Sequence, residues 1–172
     1  KTGASIPYLR PKKLSGDKVP DEDVMQYVVK KLNNNNKYIC LVYPTAILMH
    51  ISDIKKGYKK LLSNQYNYIF TATKHKKSVI RSFIFKKNQV KQIIPESYNT
   101  RTQDLPDTYY DSGQFYWGRR ECWLKKNNRF NLKSTIVSIP NYRSIDIDYP
   151  NDLKLAKKKF NLYKEKKLDL IK

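Results

Sequence analysis

The feature that most constrains the fold is a continuous apolar run closed by proline, "KYICLVYP" at residues 37 to 44. A strand that is apolar on both faces is typical of the interior of an α/β sheet with helices on both sides. Segments 20 to 33 and 52 to 63 flank the run with apolar residues at helical spacing, and 66 to 73 predicts a second strand. This alternation predicts an α/β fold with an open, mostly parallel, Rossmann-like sheet.

The middle of the chain departs from this alternation. "RSFIFKKNQVKQIIP", residues 81 to 95, alternates apolar and polar residues on both sides of "KKNQ", which predicts an inserted β-hairpin. Further strands are predicted at 113 to 117, 134 to 140 and, over "SIDIDY", 144 to 149. A short helix is predicted at 118 to 125 and a final helix at 149 to 167, with Pro150 in its first turn.

Length and composition limit the class of protein. A chain of 172 residues suits one domain with a core of its own. Its net charge of +20 would suit a polyanion, but the lysines are scattered in short runs that predict solvated faces, so we expect no nucleic-acid partner. No apolar window is long enough to span a membrane. Cys40 and Cys122 lie in apolar runs, which indicates reduced, buried thiols in a cytoplasmic protein.

The sharpest candidate for chemistry is "IDID", residues 145 to 148. On a strand, Asp146 and Asp148 would stand together on one face, because side chains alternate between faces. Two neighbouring carboxylates favour a hard divalent cation such as Mg²⁺. The alternative is a pair of solvated acids at the end of a strand, with Asp148 helping to cap the next helix.

Two other stretches are candidates for ligand binding. "YPTA", 43 to 46, ends the best predicted strand, where α/β sheets bind ligands, so Thr45 would face a ligand. In "RTQDLPDTYYDSGQFYW", 101 to 117, the guanidinium, amide and phenol groups suit an acidic, hydroxyl-rich ligand such as a sugar acid. The residues concerned are Arg101, Gln103, Gln114 and Tyr116. The alternatives are an ordinary strand exit and an aromatic strand that packs on a core after a polar turn.

Taken together, four motifs resemble one family. "YLRPKKLS", "YPTA", "RTQDLPDTYYDSGQFYW" and "SIDIDYPNDLKLA" occur in the order and spacing of the cytidylyltransferases that make CMP-activated nonulosonic acids. The match covers about residues 4 to 163 and is most similar to the branch that activates pseudaminic acid. It implies that CTP and a nonulosonic acid give a CMP-sugar and pyrophosphate, with magnesium.

The resemblance also implies roles for residues. Asp146 and Asp148 become the catalytic magnesium ligands, and Arg10 lies near the cytidine. Arg101, Gln103 and Tyr116 fall in the sugar-acid site, with Arg81 as a basic residue near the sugar. A homodimer is implied, in which residues 75 to 105 form a dimerisation excursion that brings arginines to the partner's site.

The sequence departs from the family in one large respect. No basic, glycine-containing loop of the form A-R-x-G-S-K, which grips the triphosphate, occurs in the 172 residues. Residues 1–172 are therefore predicted to be the C-terminal part of a single cytidylyltransferase domain, with the N-terminal nucleotide-binding segment missing and no activity alone. Asp21 or Asp23 would also repel a phosphate. The alternative is a non-catalytic remnant that dimerises or binds a sugar acid.

Overall fold

Helices and strands alternate in the first half of the chain, as the sequence predicts. The structure is a computed structural model, and it describes residues 3–32, 35–125, 128–130 and 133–164. The first four elements are α1 (Asp21–Leu32), β1 (Tyr38–Val42), α2 (Ile51–Leu62) and β2 (Tyr68–Lys74). The run at residues 37 to 44 does form a strand, β1, but the predicted full burial is wrong: β1 is half-buried at one edge of the described sheet, because only β5 pairs with it. β2 is the strand that is buried along almost its whole length.

The second half begins with the predicted hairpin, β3 (Phe83–Lys86) and β4 (Gln89–Gln92). β5 (Tyr109–Arg119), α3 (Arg120–Leu124), β6 (Ser134–Ser138) and α4 (Pro150–Lys164) follow. The predicted helix at 149 to 167 is confirmed as far as Lys164, and its last three residues lie outside the described ranges.

The predicted strand over "SIDIDY" is wrong, because residues 144 to 149 have no regular secondary structure. Pro140 and a single 3₁₀ turn, Asn141–Arg143, end the extended chain after β6. β6 is the last strand of the described sheet, so no neighbour offers hydrogen bonds to the segment that follows.

The main sheet is mixed, in the order β1-β5-β2-β6. β5 is antiparallel to both β1 and β2, whereas β2 and β6 are parallel. Three strands therefore run in the same direction, but only one pairing is parallel, which corrects the predicted mostly parallel sheet. The reason is that the chain leaves the end of β2 and returns beside it, where the His75 N–H donates to the Thr108 carbonyl (2.9 Å).

Helices cover both faces of this sheet. One core cluster joins α1 and α3 to the sheet and includes Met25, Val29, Phe70, Tyr116 and Trp123. The other joins α2 to the opposite face and includes Leu61, Ile69, Phe115, Val137 and Ile139. Sequence neighbours such as Phe115 and Tyr116 enter different clusters because side chains alternate along a strand. The α/β class is therefore confirmed.

The hairpin forms a two-stranded sheet of its own. Lys87 and Asn88 connect β3 to β4, and both have positive φ angles, 51° and 59°. A two-residue turn of this kind matches the right-handed twist of the strands. The residues from 75 to 105 thus leave the main sheet, and β3 is exposed throughout.

The two cysteines are only partly as predicted. Cys122 is buried, whereas Cys40 is half-buried. Burial raises the pKa of the Cys40 thiol to about 12, so this side chain stays protonated at neutral pH. Within the described residues, no helix has the length and apolar content needed to cross a membrane.

Gly118 should be essential for the packing of β5 against α3. A Cβ atom at this position would lie 2.8 Å from Tyr68 Cε1 and would also clash with the Trp123 ring. Because both rings are fully buried, Gly118→Ala should lower the free energy of unfolding in urea by about 1 to 3 kcal/mol. Gly16→Ala is the matched control, since its nearest neighbour would be Val19 at 3.9 Å. Equal stability of the two variants would contradict this packing.

Candidate functional site

A pocket of about 340 Å³ lies at the carboxyl end of β1, where the sequence predicts a ligand site. Thr45 lines it together with Arg10 from the N-terminal segment and Asp21 from the start of α1. The other lining residues are Val24, Met25, Leu41, Val42, Tyr43 and Pro44. The structure therefore brings together two of the predicted site residues, Arg10 and Thr45.

The local sequence explains how Thr45 reaches this position. The Tyr43 N–H donates to the Gln114 carbonyl (3.0 Å), so the pairing of β1 with β5 extends one residue beyond the strand. The Ala46 N–H then donates to the Tyr43 carbonyl (3.1 Å) and closes a β-turn. Pro44 occupies the second position of this turn, which its fixed φ angle favours. Thr45 is thereby held at the end of the sheet.

The pairing of β2 with β5 is interrupted beside the pocket. Register is lost between the Phe70–Tyr116 and Ala72–Asp111 pairs. Within the interruption, Gly113 has a φ of 58°, and its N–H donates to Asp111 Oδ1 (3.0 Å). Such bulges redirect side chains and are common near active sites. Here the bulge determines where Gln114 points.

Gln114 is buried next to Thr45, in a narrow crevice that Arg143 and Ile145 also line. Its Nε2 donates to the Arg143 carbonyl (2.7 Å), while its Oε1 has no hydrogen-bond partner among the described residues. Gln114 therefore holds Arg143 near the end of β1, just before the irregular stretch 144 to 149 that carries Asp146 and Asp148 and is called the acidic segment below. Its predicted contact with a sugar acid stays a prediction.

Tyr116 is buried behind the pocket. Its hydroxyl donates to Asp111 Oδ2 (2.6 Å), and the centre of its ring lies 5.3 Å from the centre of the Tyr43 ring. Burial, followed by the Asp111 carboxylate, raises the pKa of the Tyr116 phenol well above its ordinary value. The phenol therefore stays protonated and donates to Asp111, and the ring supports the pocket wall.

The wall of the pocket contains a carboxylate that is already engaged. The Tyr43 hydroxyl donates to Asp21 Oδ2, and Arg129 Nη2 lies 3.7 Å from the same oxygen. Burial raises the pKa of Asp21, and the Arg129 charge opposes that rise. The acid that the sequence marks as repelling phosphate is thus paired with a cation and a phenol.

Asp146 and Asp148 lie in the irregular segment that begins at the crevice. Both are exposed, while Ile145 and Ile147, which alternate with them, are half-buried. The side chains of residues 145 to 148 therefore alternate between half-buried and exposed, as predicted, although the segment is not a β-strand. Neither carboxylate has a hydrogen bond or ion pair with another described residue.

These two carboxylates fit a magnesium ion on the chemistry of their donors. Mg²⁺ prefers oxygen ligands and keeps several waters, so one or two carboxylates are enough when phosphates supply the rest. No group of three or more His, Cys, Asp or Glu side chains that could hold a metal occurs within the described ranges. A site at Asp146 and Asp148 would therefore depend on ligands from bound phosphate and water.

The remaining predicted residues lie apart from the pocket, on the 75–105 excursion. Arg81 Nη1 donates to the Thr100 carbonyl and to Thr102 Oγ1, both at 3.4 Å. The Arg101 guanidinium forms a two-pronged pair with Asp104, at 2.6 and 3.2 Å. Gln103 is exposed in the 3₁₀ turn Thr102–Asp104. None of these residues lines the Arg10–Thr45 pocket.

A buried ion pair holds the start of the acidic segment from the other side. Arg143 Nη1 lies 2.5 Å from Asp53 Oδ2 of α2, and the two residues are only 6% and 2% exposed. Arg143 is therefore fixed twice, through its guanidinium by Asp53 and through its carbonyl by Gln114. Asp146 follows three residues later.

Sequence reasoning missed Asp53, Arg143 and Arg129 altogether. Each is a single charged residue in a polar stretch, which is the pattern of a solvated surface. The partners Asp53 and Arg143 are 90 positions apart, so no local spacing connects them. Only the three-dimensional structure shows that these charges are paired and buried.

Comparison with known proteins gives relatives that match nearly the whole chain. Two Campylobacter jejuni proteins, each named pseudaminic acid cytidylyltransferase, are 34% and 33% identical over 161 residues. That match covers 91% of this chain and 69% of each relative. The chain belongs to the CMP-nonulosonic acid synthetase family.

A third member of this family has an additional activity in its name. The Helicobacter pylori protein, named pseudaminic acid cytidylyltransferase and UDP-2,4-diacetamido-2,4,6-trideoxy-beta-L-altropyranose hydrolase, is 32% identical over 139 residues. The match covers 80% of this chain and 27% of that protein. No protein-family model matches the chain. The relatives nevertheless establish the enzyme class, cytidylyltransferase.

The buried pair Asp53–Arg143 should be a major determinant of stability. Asp53→Ala leaves the Arg143 charge buried without its carboxylate, which should lower the free energy of unfolding in urea by about 3 to 5 kcal/mol. The double variant Asp53→Leu/Arg143→Met, which removes both charges, should be clearly less destabilised. Asp107→Asn, which breaks the exposed pair with Lys74, should not move the midpoint and serves as the control. An unchanged free energy of unfolding in Asp53→Ala would refute the stabilising role of this pair.

Proposed function

We propose that the chain is the sugar-acid- and metal-binding part of an enzyme that transfers CMP from CTP to a nonulosonic acid, pseudaminic acid being favoured. The observation that carries this proposal is the sequence similarity to two enzymes named pseudaminic acid cytidylyltransferase. The pocket that both Arg10 and Thr45 line supports it. The products would be the CMP-sugar and pyrophosphate. Because the 172 residues include no basic glycine-containing loop for the triphosphate, we expect no turnover by this polypeptide alone.

The reaction asks the protein mainly to position two anionic substrates. The anomeric hydroxyl oxygen of the sugar forms a bond to the α-phosphorus of CTP, the bond from that phosphorus to the pyrophosphate oxygen breaks, and the hydroxyl proton is released. Arg10 would bind the nucleotide by its guanidinium. Thr45 would orient the reacting groups at the end of β1. The rings of Tyr43 and Tyr116 pack against each other and support this wall.

Asp146 and Asp148 would hold Mg²⁺ beside this pocket. When bound, the ion would neutralise charge on the phosphates and so favour attack by the hydroxyl. The two side chains suit this role because they are exposed, unpaired within the described residues and next to Ile145, which lines the crevice. Gln114 and the Asp53–Arg143 pair would fix the segment from which both carboxylates project.

A homodimer would explain the excursion. The strands of its hairpin carry the exposed apolar side chains Phe83, Ile84, Phe85 and Val90, and the exposed Ile93 follows directly after β4. An isolated two-stranded hairpin is marginally stable in water, and an apolar surface of this kind favours association. We infer that a second copy covers the hairpin, and that Arg81 and Arg101 reach the partner's sugar site.

The hairpin surface gives a direct test of the dimer. Phe85 and Val90 lie opposite each other across the two strands and are 66% and 64% exposed. Phe85→Glu/Val90→Glu should convert a dimer into a monomer in size-exclusion chromatography with light scattering, because four charges would face each other across the interface. Lys86→Glu, an exposed change on the same strand, should remain dimeric. Weak protein complexes form at concentrations of about 100 µM. A wild-type chain that is still monomeric at about 100 µM would therefore count against the dimer.

Metal dependence tests the proposed function itself. Calorimetric titration of the wild-type chain with CMP-pseudaminic acid should give tighter binding with Mg²⁺ than with EDTA. Asp146→Ala/Asp148→Ala should abolish this difference, because it removes both of the carboxylates proposed to hold the ion. Asp17→Ala removes an exposed acid elsewhere and should keep the metal effect. An unchanged magnesium effect in the double variant would remove both residues from the metal site.

A further inference from the structure

Arg129 is a buried cation that the proposed reaction does not use. It lies between α3 and β6 and is only 8% exposed. Its Nη2 is 3.0 Å from Glu22 Oε1 and 3.7 Å from Asp21 Oδ2, so it bridges the first turn of α1. The centre of its guanidinium also lies 4.4 Å from the centre of the Tyr116 ring, a cation–π arrangement.

These contacts close into a ring of four side chains. Arg129 contacts Asp21, Asp21 accepts a hydrogen bond from Tyr43, the Tyr43 ring packs on Tyr116, and Tyr116 returns to Arg129. The ring joins the α3–β6 connection, helix α1, the end of β1 and the central strand β5. Only Asp21 and Tyr43 line the pocket. Any effect of Arg129 on a ligand in the pocket would therefore pass through these two side chains.

The charge balance explains why a cation stands behind this wall. Three carboxylates, Asp21, Glu22 and Asp111, surround this part of the wall. Burial raises the pKa of Asp21, the charges of Glu22 and Asp111 add to the rise, and Arg129 opposes it. Arg10 is the cation that lines the pocket itself. If Arg129 were removed, the Asp21 and Glu22 carboxylates would lose the cation that contacts them, and a phosphate in the pocket would meet a more negative wall.

Stability alone does not account for the burial of Arg129. Its Nε and Nη1 are buried and have no hydrogen-bond acceptor among the described residues. Buried donors without acceptors are unfavourable, and a buried ion pair stabilises a fold weakly compared with apolar packing. An apolar side chain would fill this position as well, unless the charge itself is required.

We propose that Arg129 is a positioning residue that balances the carboxylates of the pocket wall and so allows a nucleotide phosphate to bind beside Asp21. This inference rests on the proposed function, because it takes the Arg10–Thr45 pocket to hold the nucleotide. The effect depends on the charge of the ligand. A ligand that fills the same pocket without a phosphate has no need of Arg129.

Two probes of different charge test the proposal on the full 172-residue chain. Cytidine and CMP share the base and ribose, and only CMP has a phosphate. Arg129→Met should weaken CMP binding about tenfold, the size of one partly screened charge interaction, and change cytidine binding less than twofold. Binding is measured by calorimetry or by ligand-observed NMR, with the circular dichroism spectrum as a check on folding.

Two further variants separate charge from structure. Asp21→Asn leaves Arg129 in place and should tighten CMP binding, so it tests the charge balance even if Arg129→Met does not fold. Asp21→Asn/Arg129→Met should recover most of the CMP affinity. Equal losses for cytidine and CMP, or no recovery in the double variant, would overturn the proposal and leave the proposed function intact. A wild-type chain that binds neither probe would instead overturn the nucleotide assignment of the pocket, and this inference with it.

Discussion

The antiparallel placement of β5 between β1 and β2 is the constraint on which the rest of the structure depends. Phe115 enters the core under α2, while the next residue, Tyr116, enters the core under α1 and supports the pocket wall. Gly118 leaves room for the Trp123 ring of α3. The interruption of register at Gly113 then turns Gln114 towards the acidic segment. One strand thus joins both cores, the pocket and the metal candidates.

The periodicity of the sequence predicts the elements whose neighbours are local or apolar. α1, β1, α2 and β2 follow from apolar spacing, and the hairpin follows from alternation around "KKNQ". Two features of the fold could not be predicted from the sequence, for physical reasons. The direction of β5 depends on where a long excursion returns, which no local pattern encodes. "SIDIDY" alternates as a strand does, and its half-buried isoleucines agree with that pattern, but none of the described strands pairs with it.

In the candidate site, too, some residues could be identified from the sequence and others could not. Arg10 and Thr45 were identified from motifs, and the structure places both in one pocket. The charges that organise the surroundings were not identified, because Arg129 pairs with Glu22 and Arg143 with Asp53 across long stretches of sequence. A chain with a net charge of +20 therefore has a carboxylate, Asp21, in the wall of its pocket, and the buried Arg129 lies beside it. Bulk charge is a poor guide to the field inside such a site.

The start of α4 has a consequence for the neighbouring acids. Asp152 Oδ2 accepts hydrogen bonds from the amides of Asp148 (3.2 Å) and Tyr149 (2.8 Å), and Pro150 has no amide hydrogen to offer. The positive end of this helix dipole is therefore satisfied by the helix's own carboxylate. An anion that approached it would find an acid where helices usually present free donors. The stretch around Asp146 and Asp148 therefore presents negative charge, which would favour a cation over an anion at this end of α4.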